Sequence, residues 1–398
     1  MANIDRFLTY VRINTQSDDT TGTTPSTECQ KDLGKLLVKE LKALGLSDAH
    51  MDKFGNVYGH LPGEGKTIGL NAHMDTALEV SGKDVNPRII TNYNGGIIDY
   101  PNGLKMNPSD FPVLLKHTRH DLVVTDGTTL LGGDDKAGIA IIMSILAYFH
   151  ENPNVKHTNI AVCFTVDEEI GEGPLHFDYE EMGADFAYTI DGADIDTIEY
   201  ENFNAYCADI LVKGVSIHPG EGKNKLINAI LVMDEILDRI PKNQTPFNSE
   251  GRQGFFHITS LNGSSEEMKA HLIIRDFDSK NIQKRISVVD KAVNTVKKKY
   301  PNLEISHSIK LQYENMRTYV DKDPQAVENA KRALKKNGIE PQISVIRGGT
   351  DGATFSKNGL ITPNLGTASF NHHGRFEFLD INDFEKMIQI GIDLVKID

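Results

Sequence analysis

The sequence predicts an α/β protein interrupted by a smaller, ferredoxin-like α+β domain, and three observations carry that prediction. Apolar, β-like runs such as residues 160–166 break at their ends into acids and glycines, as expected where ligands bind at the carboxyl edge of an open α/β sheet. The middle of the chain reads β-α-β-β-α-β, the order of a ferredoxin-like sandwich. Beyond it the α/β pattern resumes, and 398 residues are ample for two cores.

Taken in order, residues 5–46 carry apolar positions at helical spacing in two blocks, Phe7/Leu8/Val11 and Leu33/Leu36/Leu37/Leu41, with Ser26 or Thr27 available to cap the second helix. Strands at 57–61 and 68–72 flank a Pro-Gly-Glu-Gly turn, and the second runs into His73-Met74-Asp75-Thr76. With a side-chain period of two, His73 and Asp75 share a face. The pair reads either as a structural histidine or as a metal ligand backed by the carboxylate that orients it. Residues 77–128 are rich in glycine, proline and aspartate with few periodic apolar runs, and so read as a long loop of the functional or disordered kind.

Gly132-Gly133-Asp134-Asp135 then opens a nearly all-apolar helix at 139–149, of the buried type. Its two acids read either as a helix cap or, given the conformational freedom of the glycine pair, as carboxylates aimed inward. The run 160–166 ends in Asp167-Glu168-Glu169, which is either a solvated acidic loop or a metal ligand next to a proton-handling neighbour. A strand at 186–190 ends in Asp191.

In the middle domain the strand-like runs 209–212, 254–261, 269–275 and 304–311 alternate with the helical patterns Leu226/Ile230/Met233/Leu237/Ile240 and Ile282/Ile286/Val289/Val293/Val296. After it come a helix at 324–336, a strand at 343–346, the glycine loop beginning at Arg347, a strand at 360–365, the polar turn Ser369-Phe370-Asn371-His372-His373-Gly374 and a last helix. The expected organisation is a first catalytic part at 1–203, an inserted domain at 204–315 and a second catalytic part at 316–398.

Composition narrows the function. A net charge of -14 and a pI near 5.5, with no basic stripe, disfavour nucleic acid as a partner. No run approaches the roughly 18 apolar residues of a membrane span, and the start lacks a secretory pattern, so no membrane partner and a cytoplasmic location are expected. Cys29, Cys163 and Cys207 are odd in number and contain no CxxC pair, which supports neither a disulfide framework nor a thiolate zinc site. Any metal falls to histidine, aspartate and glutamate.

The blocks His73 to Thr76, Gly132 to Gly138 and Asp167 to Gly171, in this order, make the chain resemble the M20 metallopeptidase family, over nearly its whole length. The resemblance implies a dinuclear-zinc exopeptidase-like catalytic domain with the inserted domain as a lid, and an aminopeptidase acting on short peptides, chiefly tripeptides. Other activities of the family, a dipeptidase or an N-acyl-amino-acid deacylase, are the alternatives, followed by a non-catalytic metal-binding protein.

Carried over residue by residue, the resemblance implies two divalent metal ions per subunit, zinc first. His73 and Asp191 would bind one ion and Glu169 and His373 the other, with Asp134 between them. Glu168 would be the general base and Asp75 the carboxylate behind His73. His218 would help stabilise the oxyanion, Arg275 and Arg347 would receive a substrate carboxylate, and the Asp134-Asp135 peptide would be cis. Closure of the inserted domain would bring His218 and Arg275 onto the substrate. The family includes dimers assembled through the inserted domain, which makes a homodimer a candidate. Three residues depart from the family pattern: Gly133 stands for alanine, Val166 for proline and His372 for an aromatic. His372 competes with His373 as ligand, and His373 is preferred because it directly precedes glycine.

Overall fold

In the computed structural model, which describes residues 3–397, the chain divides into two units. One comprises Met1–Tyr200, Thr318–Ser344 and Thr350–Asp398; the other comprises Glu201–Arg317 with Val345–Gly349, a stretch that the sequence pattern leaves in the last catalytic segment.

The first unit is built on an eight-stranded sheet. At its centre Asn159–Thr165, Thr67–His73, Phe186–Gly192 and Asn364–Gly366 lie side by side in parallel. Apart from their entry and exit residues these strands are buried, which explains why they read as continuous apolar runs. Their shared direction brings the ends at His73, Thr165, Asp191 and Gly366 to one edge of the sheet. The helix Gly133–Glu151 packs on strands Thr67–His73 and Phe186–Gly192, and its near-total burial accounts for the absence of a polar face in its sequence.

Residues 77–128 are not the structureless excursion that the sequence suggests. Arg88–Ile90 and Leu122–Val124 join Ser369–Phe370 and Phe378–Asp380 in a four-stranded sheet. Beneath it is a separate apolar cluster including Tyr93, Ile98, Tyr100, Met106, Leu114, Phe370 and Phe378. Strands of two or three residues are too short to display alternation, so the pattern was invisible. A second correction concerns Ser26 and Thr27. The helix Gln30–Ala43 has Cys29 at its N-cap and no side-chain cap, while the Ser26 hydroxyl donates to Asp167 at 2.6 Å.

The second unit contains a four-stranded antiparallel sheet in the order Phe255–Gly263, Glu267–Asp276, Asn204–Lys213, Ile305–Tyr313. Helices Ala229–Leu237 and Ser279–Lys299 complete the ferredoxin-like order. The core lies between the helices and the sheet, with Ile210, Val212, Val232, Ile236, Leu272, Ile274, Val289 and Val293 among its residues.

Glu201 ties this unit together, accepting from Arg317 at 2.9 Å and from Arg252. Burial opposes its ionisation, but the guanidiniums outweigh burial and hold the carboxyl below its usual value. The folded group therefore keeps its charge to lower pH than the unfolded one. Its contribution is whole above the ordinary glutamate range and is lost as pH falls through the lowered value. Thermal unfolding followed between about pH 5 and pH 3 should show Glu201→Gln losing less stability on acidification than the unmodified chain. Parallel acid profiles would remove this residue from the account.

Candidate active site

Three sheet ends and two turns assemble the site. His73 closes its strand at 2 % exposure; its Nε2 lies 2.9 Å from Asp134 Oδ1 and 3.4 Å from Asp191 Oδ1. On the other side of Asp134, His373 Nε2 lies 3.2 Å from Oδ2 and 3.0 Å from Glu169 Oε2. The donor atoms of His73, Asp134 and Asp191 all fall within 4.8 Å of one another, as do those of Asp134, Glu169 and His373. One carboxylate thus belongs to two triads, turning one oxygen to each histidine.

Asp75 is fully buried and supports the site from behind. Its Oδ1 lies 3.3 Å from His73 Nδ1 and accepts from the Glu168 N–H, while Oδ2 accepts from the Glu169 N–H, at 3.0 and 3.1 Å. Asp167 adopts a left-handed conformation, φ 60°, uncommon for a residue with a Cβ. Its carboxylate holds that bend by accepting from Ser26 N, Ser26 Oγ and Gln30 Nε2 at 2.7, 2.6 and 2.6 Å.

The turn before the buried helix is held in the same manner. Gly132 is left-handed, φ 77°, and the Asp134-Asp135 peptide is cis. Glu377 accepts from the N–H groups of Leu131, Gly132 and Asp134 at 2.7, 2.8 and 3.0 Å. The glycine at 133 has a local reason: a Cβ there would collide with Ser369 Oγ and come within 3.0 Å of Glu377 Oε1. Asp135 accepts from His73 N at 3.2 Å and from Gly138 N at 3.1 Å, and Lys136, fully buried, donates to Ile13 O at 2.7 Å. Glu377, Asp351, Asp167 and Lys136 were not singled out from the sequence. The available signals were slight: an acid between two phenylalanines, and a second acid in the Arg-Gly-Gly-Thr-Asp-Gly loop.

Electrostatics follow from this crowding. Burial, reinforced by Asp351, Asp191 and Glu169, pushes Glu168 well above the usual carboxyl range. Burial likewise raises Glu169 and Asp351 to about 7. Asp134 goes the other way: its three histidine neighbours outweigh burial and hold it well below the usual value. Acids packed this closely repel one another unless positive charge lies among them. Imidazole nitrogens and carboxylate oxygens are ligands that suit zinc and its divalent neighbours, and Glu169 Oε1 is buried without a hydrogen-bond partner. The residues present therefore fit divalent cations. His372 approaches Asp134 at 3.4 Å through Nδ1 but does not join the Glu169 triad.

The remaining three candidates belong to the second unit. His218 is exposed, and its Nδ1 accepts from Gly220 N at 3.1 Å. Arg275 is 8 % exposed; it donates from Nη1 to Tyr206 O and Ile274 O at 3.0 and 3.1 Å and lies over the Tyr313 ring. Arg347 donates to Gly251 O, Gln253 O and Ser249 through both terminal nitrogens and lies over Phe203.

An α/β sheet with a parallel centre and with imidazoles and carboxylates gathered at the carboxyl edge of that centre has the architecture of a metal-dependent hydrolase. The model of peptidase family M20/M25/M40 matches residues 122–396, and the chain belongs to that family. Among its relatives, Peptidase T of Clostridium perfringens (strain SM101 / Type A) is 44 % identical over 397 residues, covering 99 % of this chain and 98 % of the relative. Peptidase T of Bacillus subtilis (strain 168) is 44 % identical over 399 residues, with 99 % and 97 % covered. Among solved structures, aminopeptidase PepT from Bacillus cereus ATCC 10987 superposes with a TM-score of 0.78 at 21 % identity, covering 99 % of this chain and 97 % of that one. The Bacillus subtilis YXEP protein, described as a dinuclear metal-binding peptidase of the M20 family, gives 0.64 at 14 % identity with 99 % and 97 % covered. At these identities the structural likeness speaks to fold, which is that of the family.

Proposed function

We propose that the chain is a metal-dependent aminopeptidase that removes the N-terminal residue from short peptides, chiefly tripeptides. In this reading two divalent cations, zinc first, are held by His73, Asp134 and Asp191 on one side and by Asp134, Glu169 and His373 on the other. The observation that carries it is the carboxylate of Asp134 shared between two triads. The names of the relatives, Peptidase T and aminopeptidase PepT, support the substrate class, and the dinuclear centre of the YXEP protein supports the cation count.

When bound, the cations supply Lewis-acid polarisation of the scissile carbonyl and acidify a water. The chain's own residues perform the proton work. Glu168 takes the proton of the attacking water and returns it to the leaving amine. Asp75 keeps His73 in one orientation and, through the backbone of Glu168 and Glu169, fixes base and ligand relative to each other. His218 Nδ1 accepts a hydrogen bond, so the neutral ring carries its hydrogen on Nε2, a donor suited to a developing oxyanion. Arg275 is assigned to the substrate carboxylate ahead of Arg347, whose two terminal nitrogens are engaged by the 249–253 turn.

A cytoplasmic location fits the three free cysteines, and among the described residues no helix is long and apolar enough to cross a membrane. Exposed Leu226, Ile230 and Leu231 on the second unit support a homodimer through that unit.

Matched di-, tri- and tetrapeptides, each also N-acetylated and C-amidated, test the reading with and without exhaustive chelation. Free tripeptides should turn over fastest, acetylation should abolish cleavage, and chelation should abolish it until zinc, cobalt or manganese is restored. Amidation should cost about 1.5–3 kcal/mol, roughly ten- to a hundredfold in efficiency. Preference for dipeptides or acetylated substrates would move the chain to another activity of the family. No turnover with metal bound would make it a binding protein.

A further inference from the structure

On the far side of the strand that follows Glu377, four side chains converge from segments some 260 residues apart in the chain. His117 and His120 flank the turn before strand Leu122–Val124, and Asp380 and Asp383 open the helix Ile381–Val395. His117 Nδ1 lies 2.7 Å from Asp380 Oδ2 and 3.7 Å from Asp383 Oδ2, and His120 Nδ1 lies 2.6 Å from Asp380 Oδ2. All four donor atoms fall within 4.8 Å of one another. We propose that this cluster is a further metal site, distinct from the catalytic pair, that binds one zinc-like divalent cation in a tetrahedral set of two imidazoles and two carboxylates.

Three features carry this beyond a hydrogen-bonded cluster. The first is stoichiometric: two carboxylates face His117 Nδ1, and its single hydrogen can satisfy only one of them. Among the described residues the ion-pair partners of Asp380 and Asp383 are these two histidines alone, so no lysine or arginine offsets their charge. A cation meets all four donors at once. The second is fit. Zinc bonds of about 2.0–2.1 Å place tetrahedral donors about 3.3 Å apart, inside the range spanned by the measured separations.

The third feature is that the site is built. Side chains of His117 and Asp380 are 3 % and 0 % exposed, and the His117 ring is seated against Phe370 and Phe378. The second oxygen of Asp380 is oriented by accepting from Asp383 N at 3.0 Å. The two segments are laced by Asp121 N donating to Asn382 Oδ1 at 2.9 Å and Ile381 N to Asp121 O at 2.9 Å. Asp383 and His120 remain about a third exposed, which leaves a way in for the ion. A cation here would pin the strand Phe378–Asp380, whose neighbour Glu377 holds the Asp134 turn, and so would act on stability rather than on the chemistry.

The test is zinc content per chain after dialysis against buffered micromolar zinc, measured for the unmodified protein, His120→Ala and the isosteric Asp383→Asn. Each variant should hold one equivalent less than the unmodified chain, lose the added thermal stability that zinc confers, and keep peptidase turnover within about twofold at saturating metal, because neither residue belongs to the catalytic machinery. The same one-equivalent difference should persist when Asp134→Asn is present in every protein. Failure of the catalytic metal assignment would therefore leave this result untouched. Equal zinc content in all three proteins would overturn the proposal and leave a histidine-aspartate hydrogen-bonded cluster.

Discussion

Replacing Glu168 by glutamine is expected to lower turnover by about 10²–10⁴-fold while leaving the metal content unchanged. The amide occupies the same space, and the backbone N–H of residue 168 keeps its bond to Asp75, but the amide cannot accept the proton. Glu169→Gln should separate from it in the opposite sense. Its carboxylate oxygen lies 3.0 Å from His373 Nε2 within the second triad, so the amide should weaken cation binding, and excess metal should recover part of the activity. Metal analysis of the two purified variants, together with kcat at low and high zinc, distinguishes base from ligand. Identical metal content in both would show that the division of roles between these neighbouring glutamates is wrong.

The second large effect is expected at Glu377, which belongs to neither triad. Its carboxylate accepts from three backbone N–H groups of the 131–134 turn. Glu377→Ala would leave these donors buried and unsatisfied, at about 1–3 kcal/mol each before water or relaxation relieves them. A net loss of about 3–5 kcal/mol should appear as a fall in Tm of roughly 5–10 °C. Glu377→Gln should be intermediate, since its carbonyl oxygen can keep two of the bonds while its NH₂ faces the third donor. Thermal unfolding of the three proteins gives the order directly. If alanine and glutamine were equally mild, the turn would be held by something other than this side chain.

The fold class was legible because its strands announce themselves. The central parallel strands have no solvent face, so the longer ones read as predominantly apolar runs, and an acid or histidine at the end of such a run stands out. That is why His73, Glu168, Glu169 and Asp191 stand out in the sequence. His373 required the resemblance to choose it over His372. Geometry separates the two, because only His373 reaches Glu169 as well as Asp134.

What escaped notice did so for physical reasons. Glu377 immediately precedes the three-residue strand Phe378–Asp380, too short for periodicity, and its partners are backbone groups that no sequence pattern marks. Ser26 has the composition and position of a helix cap, yet its hydroxyl serves Asp167, a residue 141 positions away. His117, His120, Asp380 and Asp383 show no metal-binding spacing because the two halves of the cluster lie far apart in the chain and meet through tertiary structure, the pairing of strands Leu122–Val124 and Phe378–Asp380 among it. Arg275 and Arg347 are of the residue type expected for carboxylate recognition, but each guanidinium is partly committed to carbonyls of its own unit, which no sequence pattern marks.

The interruption of the first unit by the second has a consequence for biosynthesis. The segment Glu201–Arg317, most of the second unit, is continuous in the chain and is followed by Val345–Gly349, which completes that unit. The first unit, by contrast, lacks the strand Asn364–Gly366 and His373 until every segment of the second has been made. At about 5–20 residues per second, the interval between emergence of Asp191 and of His373 is on the order of ten to forty seconds. Throughout that time a nascent chain can offer His73, Asp134 and Asp191 to a cation but not His373. The triad that needs His373 is thus completed only after the whole of the second unit has been made.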